Sequence, residues 1–365
     1  MKSVLLGAWF FLMGVFCAAA YAVPVVDQAR GKEIARLEDQ RRQAQKALET
    51  PCHFDVTRTE LPSTDPYSTF RPHMAVVSFE GHEVFRVTEG DGFGVVLKNG
   101  RTPRYEPPVY DLDCRVAGDR RYLFWQGSGE VCVFLKKCEN RYFAVSQDRG
   151  LTWSGLESPK ETFRNFSFLG KGNEAIPVGE LSTGGNVLFD VYMHPLAQKL
   201  GVSPLYYYQG KVYLVEQQGT SGHSQLSVSG DGGRQWRSVP LPGFINAAMF
   251  FEHQGGLYAA YASFCSAFLK PCGELRVAKV SAESGFNDIS PVLKDSAGGI
   301  EAVFGGDKPV IVWSDLRFYR GPHWGIPWSD SPTFTVKRSI FAGHWDMEKR
   351  VLDEGLIKQG DTYGY

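Results

Sequence analysis

Three observations predict an all-β chain built as a β-propeller of about six blades, with one short helix at its N-terminal end. Short runs of aromatic and β-branched residues recur from Pro51 onward, turn residues separate them, and a strand-turn-strand unit repeats. The runs include HMAVVSF, RYLFWQ, NVLFDVYM, KVYLVEQ, AAMFFEH and PVIVWS, with Gly, Asn, Asp or Pro between them. No alternation of strands with helical patterns is present, and neither GxGxxG nor GxxxxGK[ST] occurs, which excludes dinucleotide folds and P-loops.

The N-terminal residues are set apart from that fold. Lys2, the apolar run VLLGAWFFLMGVF and the small-residue site Ala20-Tyr21-Ala22 predict a secretory signal peptide over 1–22. The run falls short of the ~20 apolar residues that span a bilayer, so no membrane association is expected after cleavage. Periplasmic or secreted localisation follows. Residues 23–50 carry Ile34, Leu37, Ala44 and Leu48 on one helical stripe that Arg41 interrupts, predicting a helix that lies on the domain surface or acts as a spacer. The propeller is expected over 51–365.

The whole chain has 39 Lys and Arg against 40 Asp and Glu, so no basic excess marks a nucleic-acid partner. Removal of Cys17 with the signal leaves Cys52, Cys114, Cys132, Cys138, Cys265 and Cys272, an even set in an oxidising compartment. Close spacing favours Cys132 with Cys138 and Cys265 with Cys272, leaving Cys52 for Cys114. No CxxC pair, HExxH or comparable spacing suggests a metal site, and nothing suggests a cofactor.

The repeated unit ends in SQDRGLTW at 146–153 and SGDGGRQW at 229–236, with a looser version at Ser281-Ala-Glu283-Ser-Gly285. Ser229 to Ser281 is close to one blade of ~40 to 50 residues, and Ser146 to Ser229 is long enough to require an insertion or a degenerate blade between. A short Ser or Asp side chain can accept bonds from the free N–H groups of such a turn, while Gly150 and Gly233 tolerate positive φ.

On these residues, Ser146, Asp148, Gly150 and Trp153 with Ser229, Asp231, Gly233 and Trp236, the chain resembles the Asp-box, or bacterial neuraminidase repeat, family of sialidase-like β-propellers. Gln235 stands where the box has Thr. The resemblance implies that the box joins the third and fourth strands of a blade and is structural. Sialidases add an arginine triad, a Tyr/Glu nucleophile pair and an acid/base Asp. Here Phe85-Arg86-Val87-Thr88 keeps an arginine and loses the proline, and Asp111 and Asp113 follow as weak catalytic candidates. No second or third triad arginine stands out.

The richest chemistry is expected in a loop within 312–330, where Trp313, Asp315, Arg317, Tyr319, Arg320, His323, Trp324 and Trp328 suit a glycan or a protein ligand. The sequence therefore favours a non-catalytic binding module, such as a periplasmic inhibitor, immunity-type or assembly protein, with a sialidase-like glycoside hydrolase as the alternative.

Overall fold

A computed structural model describes residues 26–48, 52–62, 73–89, 110–127, 140–154, 163–181, 185–218, 223–264, 273–294, 297–320, 334–358 and 362–364. The expected signal peptide over 1–22, Cys132, Cys138, Cys265, Cys272, His323, Trp324 and Trp328 lie outside them. The described residues form helix α1 (Gln28–Leu48), a short 3-10 turn and 23 strands in six antiparallel sheets that follow one another along the chain.

The first sheet holds β1 (Phe54–Glu60), β2 (His73–Phe79) and β3 (His82–Glu89); the second holds β4 (Tyr110–Ala117), β5 (Arg120–Gly127) and β6 (Asn140–Ser146). The third runs β7 (Phe163–Leu169), β8 (Ile176–Leu181), β9 (Asn186–Phe189), β10 (Pro195–Lys199), and the fourth β11 (Tyr206–Tyr208), β12 (Lys211–Gln218), β13 (His223–Ser229), β14 (Arg237–Pro240). The fifth runs β15 (Phe244–His253), β16 (Gly256–Phe264), β17 (Gly273–Ser281), β18 (Gly285–Asn287). The sixth runs β19 (Ala297–Phe304), β20 (Val310–Arg320), β21 (Phe334–Asp346), β22 (Val351–Lys358), with β23 (Thr362–Gly364) also on β21.

Side chains alternate across a strand, so one strand can serve two cores. On β5, Leu123 packs toward the first sheet with Phe79 and Ala144, whereas Tyr122 and Phe124 pack toward the third with Phe166 and Phe189. On β12, Val212 and Leu214 join the third sheet, and Tyr213 and Val215 join the fifth. Burial on both faces is why these strands read as nearly unbroken apolar runs rather than as an apolar-polar alternation. The apolar clusters thereby link each sheet to the next, from the first through the sixth. Cys52 and Cys114, the pair left over in the expected pairing, form a disulfide with Cα atoms 5.5 Å apart, tying the start of the first sheet to the second.

The outer face of the sixth sheet is covered by α1. Asp27 accepts the Arg30 N–H at 3.0 Å and caps the helix. Ile34, only 5% exposed, packs on Phe304, Val310, Val312 and Ala342, with Leu37 beside it. Arg30 donates to the carbonyls of Ala342 and Asp353 at 2.9 and 2.6 Å, and Glu33 meets His344 at 3.1 Å. The helix is thus docked through its first half. Ala44, expected on the same buried stripe, is exposed.

The segment expected to be a loop after Trp313 differs. β20 continues to Arg320 and pairs with β21 over its whole length, Arg320 opposite Phe334. Asp315, Arg317, Tyr319 and Arg320 are therefore strand residues. Trp313 is 1% exposed and stacks on Phe341 at 5.7 Å, so it is a core residue and not part of a ligand face. Asp315 is buried as well.

Candidate functional site

The repeated aspartates occupy turns that follow the third strand of a sheet. After β6, the Ser146 hydroxyl donates to Asp148 Oδ1 at 2.8 Å and accepts the Gly150 N–H at 2.7 Å. Asp148 also accepts the Thr152 N–H at 2.9 Å and the Thr152 hydroxyl at 2.6 Å. The Trp153 indole closes the turn on the Gly150 carbonyl at 3.0 Å. After β13, Ser229, Asp231, Gly233 and Trp236 repeat these bonds at 2.8, 2.8 and 2.9 Å.

Hydrogen bonds from Thr152, then from Ser146, hold the Asp148 carboxyl down at about 2. Asp231 is also lowered, first by the Gln235 N–H, but Gln235 supplies no hydroxyl in place of Thr152. These carboxylates are consumed by their own turns, which leaves them no proton to exchange with a substrate at neutral pH.

Three more sheets have an acid in the same place. Asp190, after β9, accepts the N–H groups of Tyr192 and His194 at 2.8 Å each. Glu283, after β17, accepts the Ser281 hydroxyl at 3.0 Å, and Asp346, at the end of β21, accepts the N–H groups of Glu348 and Lys349 at 3.1 and 2.9 Å. The third sheet with Asp190 fills the long interval between the two full motifs. Asp190 and Asp346 lack the Ser two residues earlier, so a motif scan passes over them. An aspartate directly after an apolar run was the available signal.

The catalytic candidates do not converge. Arg86 lies on β3, exposed, with Nε and Nη2 of its guanidinium donating to Glu83 at 2.7 and 2.5 Å. That pair lowers Glu83 and raises Arg86. Asp113 on β4 accepts from Arg115 at 2.9 Å. Arg149 is held by Asp119 at 2.7 Å and Arg276 by Glu274 at 2.8 Å, each in a different part of the molecule. Asp111 belongs to β4, and its side chain lies outside the described residues, as do those of Arg317, Tyr319 and Arg320.

One Tyr/Glu pair that sequence reading missed joins two neighbouring sheets. Tyr206 on β11 donates to Glu252 on β15 at 3.3 Å. Burial, then the Glu252 charge, raise the Tyr206 hydroxyl above its ordinary value, with Arg41 of α1 opposing. Tyr208 donates to the Gly255 carbonyl, and Tyr207 to Glu174 at 2.9 Å, so this row of tyrosines stitches the fourth sheet to both neighbours.

A pocket of about 580 Å³ opens on the acid-turn rim between the fifth and sixth sheets. Its walls come from the β15–β16 turn (His253, Gln254), the β19–β20 turn (Asp307, Lys308) and the β21–β22 turn that Asp346 caps. His253 Nδ1 sits 2.6 Å from the Gly306 carbonyl, which fixes one wall against the next.

No helix among the described residues is long and apolar enough to cross a membrane, and no group of three or more His, Cys, Asp or Glu there could hold a metal ion. No family model matches the chain, and no curated protein matches it. Among solved structures it is similar to a GH32 β-fructofuranosidase of Bombyx mori (13% identity, TM-score 0.29, 71% of this chain and 50% of that one). It is also similar to a protein of unknown function from Dyadobacter fermentans (13%, TM-score 0.27, 85% and 84%) and to a Hadza microbial sialidase (10%, TM-score 0.25, 83% and 63%). The chain spans half the length of the fructofuranosidase, and scores at this level carry no argument about activity.

Proposed function

We propose that this chain is an exported Asp-box β-propeller that works as a non-catalytic module binding a glycan or a protein. Five acid-capped turns at one position in consecutive sheets support the propeller reading. The disulfide between Cys52 and Cys114 supports export to an oxidising compartment. One observation carries the non-catalytic reading. Arg86, Arg149 and Arg276 are each spent on a carboxylate of their own sheet or an adjoining turn, so none is offered to a substrate carboxylate, and they do not share a site.

The ligand-binding residues in this reading are Arg317, Tyr319 and Arg320 of β20, with His323, Trp324 and Trp328, which follow them in sequence. Aromatic faces beside guanidinium groups suit stacking on sugars or a protein hot spot. A periplasmic inhibitor, immunity-type or assembly role is compatible with such a face. The test is retention of ligand by the immobilised mature protein from glycan and envelope-protein panels, with mass analysis of what is released. A retained ligand released unaltered, and lost on combined Trp324→Ala and Trp328→Ala with melting unchanged, fits the proposal. Unchanged retention by that variant removes the face.

The alternative, a sialidase-like hydrolase, has one observation in its favour, the Tyr206–Glu252 hydrogen bond.

A further inference from the structure

The seam between the second and third sheets buries a guanidinium whose charge is not matched there. Arg120, on β5, is 5% exposed. Its Nη2 donates to the carbonyls of Asn173 and Ala175 at 2.6 and 3.0 Å, and its Nη1 has no acceptor among the described residues. Two carboxylates near this end of the seam are already engaged. Asp119 is held by Arg149 at 2.7 Å, and Asp190 by the N–H groups of Tyr192 and His194 and by the His194 ring at 3.1 Å. A charge this deep is costly unless an opposite charge meets it.

A second buried donor stands beside it. Tyr122, two residues along the same strand and so on the same face, is fully buried, and its hydroxyl forms no hydrogen bond among the described residues. Phe124, Phe166 and Phe168 surround its ring, with centroids 6.5, 6.3 and 5.1 Å away. Burial pushes the hydroxyl up to about 12 against the opposing charge of Arg120, so it keeps its proton and is a donor at neutral pH. Two enclosed donors, one of them charged, therefore share one side of β5 and lack an acceptor, a condition that a bound ion or water relieves.

We infer that Arg120 Nη1 and Tyr122 Oη hold a small monatomic anion between them, a halide such as chloride. A halide accepts from both donors and supplies the missing negative charge, whereas a water would satisfy the donors and leave the charge unmatched. Bound there, the ion fastens β5 to the third sheet, because Nη2 of the same guanidinium holds that sheet's β7–β8 turn. The inference is independent of the ligand-binding reading above.

Thermal unfolding of the native protein in sodium chloride, bromide and gluconate at one ionic strength tests this. An ion that binds only the folded state stabilises it by mass action, so the midpoint is expected to lie about 2–4 °C higher in either halide than in gluconate. Tyr122→Phe, which removes one donor and keeps the ring, should raise the half-saturating chloride concentration about tenfold. Arg120→Met should abolish the halide response, and if that variant does not fold, Tyr122→Phe still decides the matter. Bromide-soaked crystals should show an anomalous peak between Arg120 Nη1 and Tyr122 Oη. Equal midpoints in chloride and gluconate, a halide response that Tyr122→Phe leaves unchanged, or no bromide peak at that position overturns the inference and assigns the two donors to a water.

Discussion

Ser146 places its hydroxyl 2.8 Å from Asp148, donating to that carboxylate while accepting the Gly150 N–H, and Ser229 stands in the same relation to Asp231. The two aspartates are consequently fasteners. Replacing Ser146 or Asp148 by Ala leaves buried or turn N–H groups without acceptors and is expected to lower stability by about 1–3 kcal/mol, read as a lower thermal midpoint. Ligand retention per folded molecule should not change. Loss of binding at full stability would give Asp148 a direct role.

Acid should act on the same turn. The Asp148 carboxyl titrates at about 2 in the fold, because Thr152 and Ser146 bond its charged form, against roughly 3.9 in an unfolded chain. A depressed folded value means the turn contributes fully above pH ~4 and loses its contribution as pH falls toward 2. Melting followed from pH 5 to pH 2 should therefore slope less in Asp148→Asn than in the native protein. Parallel slopes would mean the carboxylate contributes nothing through its charge.

Gly150 has φ of +97°, and a Cβ there would meet the Phe79 ring at 2.3 Å. Both strain and contact oppose any side chain, so Gly150→Ala is expected to destabilise by about 1–3 kcal/mol or more. Gly81, also at positive φ but with open space around it, provides the comparison. Gly81→Ala should cost less, because only the backbone term applies, and denaturant midpoints of the two variants decide it.

The Cys52–Cys114 bridge closes a loop of 62 residues. Cross-linking a loop of that size restricts the unfolded chain by roughly 4 kcal/mol. Cys52→Ala with Cys114→Ala should lose stability of that order in denaturant, and reductant should lower the native midpoint toward the variant's.

The strands were legible because the inner sheets are buried on both faces, which fills runs such as RYLFWQ and KVYLVEQ with large apolar residues. That same property hid the place of Trp313. In PVIVWSDLRFYR an apolar run passes into charged residues, and the sequence reads as a strand ending in a loop. The structure continues β20 to Arg320 because β21 supplies partners along its length. The turns of Ser146 and Ser229 were legible since side chains within the turn satisfy it locally. Asp190 and Asp346 were not, as the turn N–H groups they accept carry no side-chain signature and no Ser stands two residues before them to mark the turn. The pocket walls come from residues far apart in sequence, His253, Asp307 and Asp346 among them, and only pairing of the sheets brings them together.

The Tyr206–Glu252 pair is the place where the non-catalytic reading is most exposed. The most direct measurement is turnover of a fluorogenic sialoside by the native protein beside Tyr206→Phe and Glu252→Gln. The expected result is no turnover above background in any of the three, with all three folded. Turnover by the native chain that either substitution abolishes, at an unchanged melting temperature, would contradict the account and make Tyr206 a nucleophile.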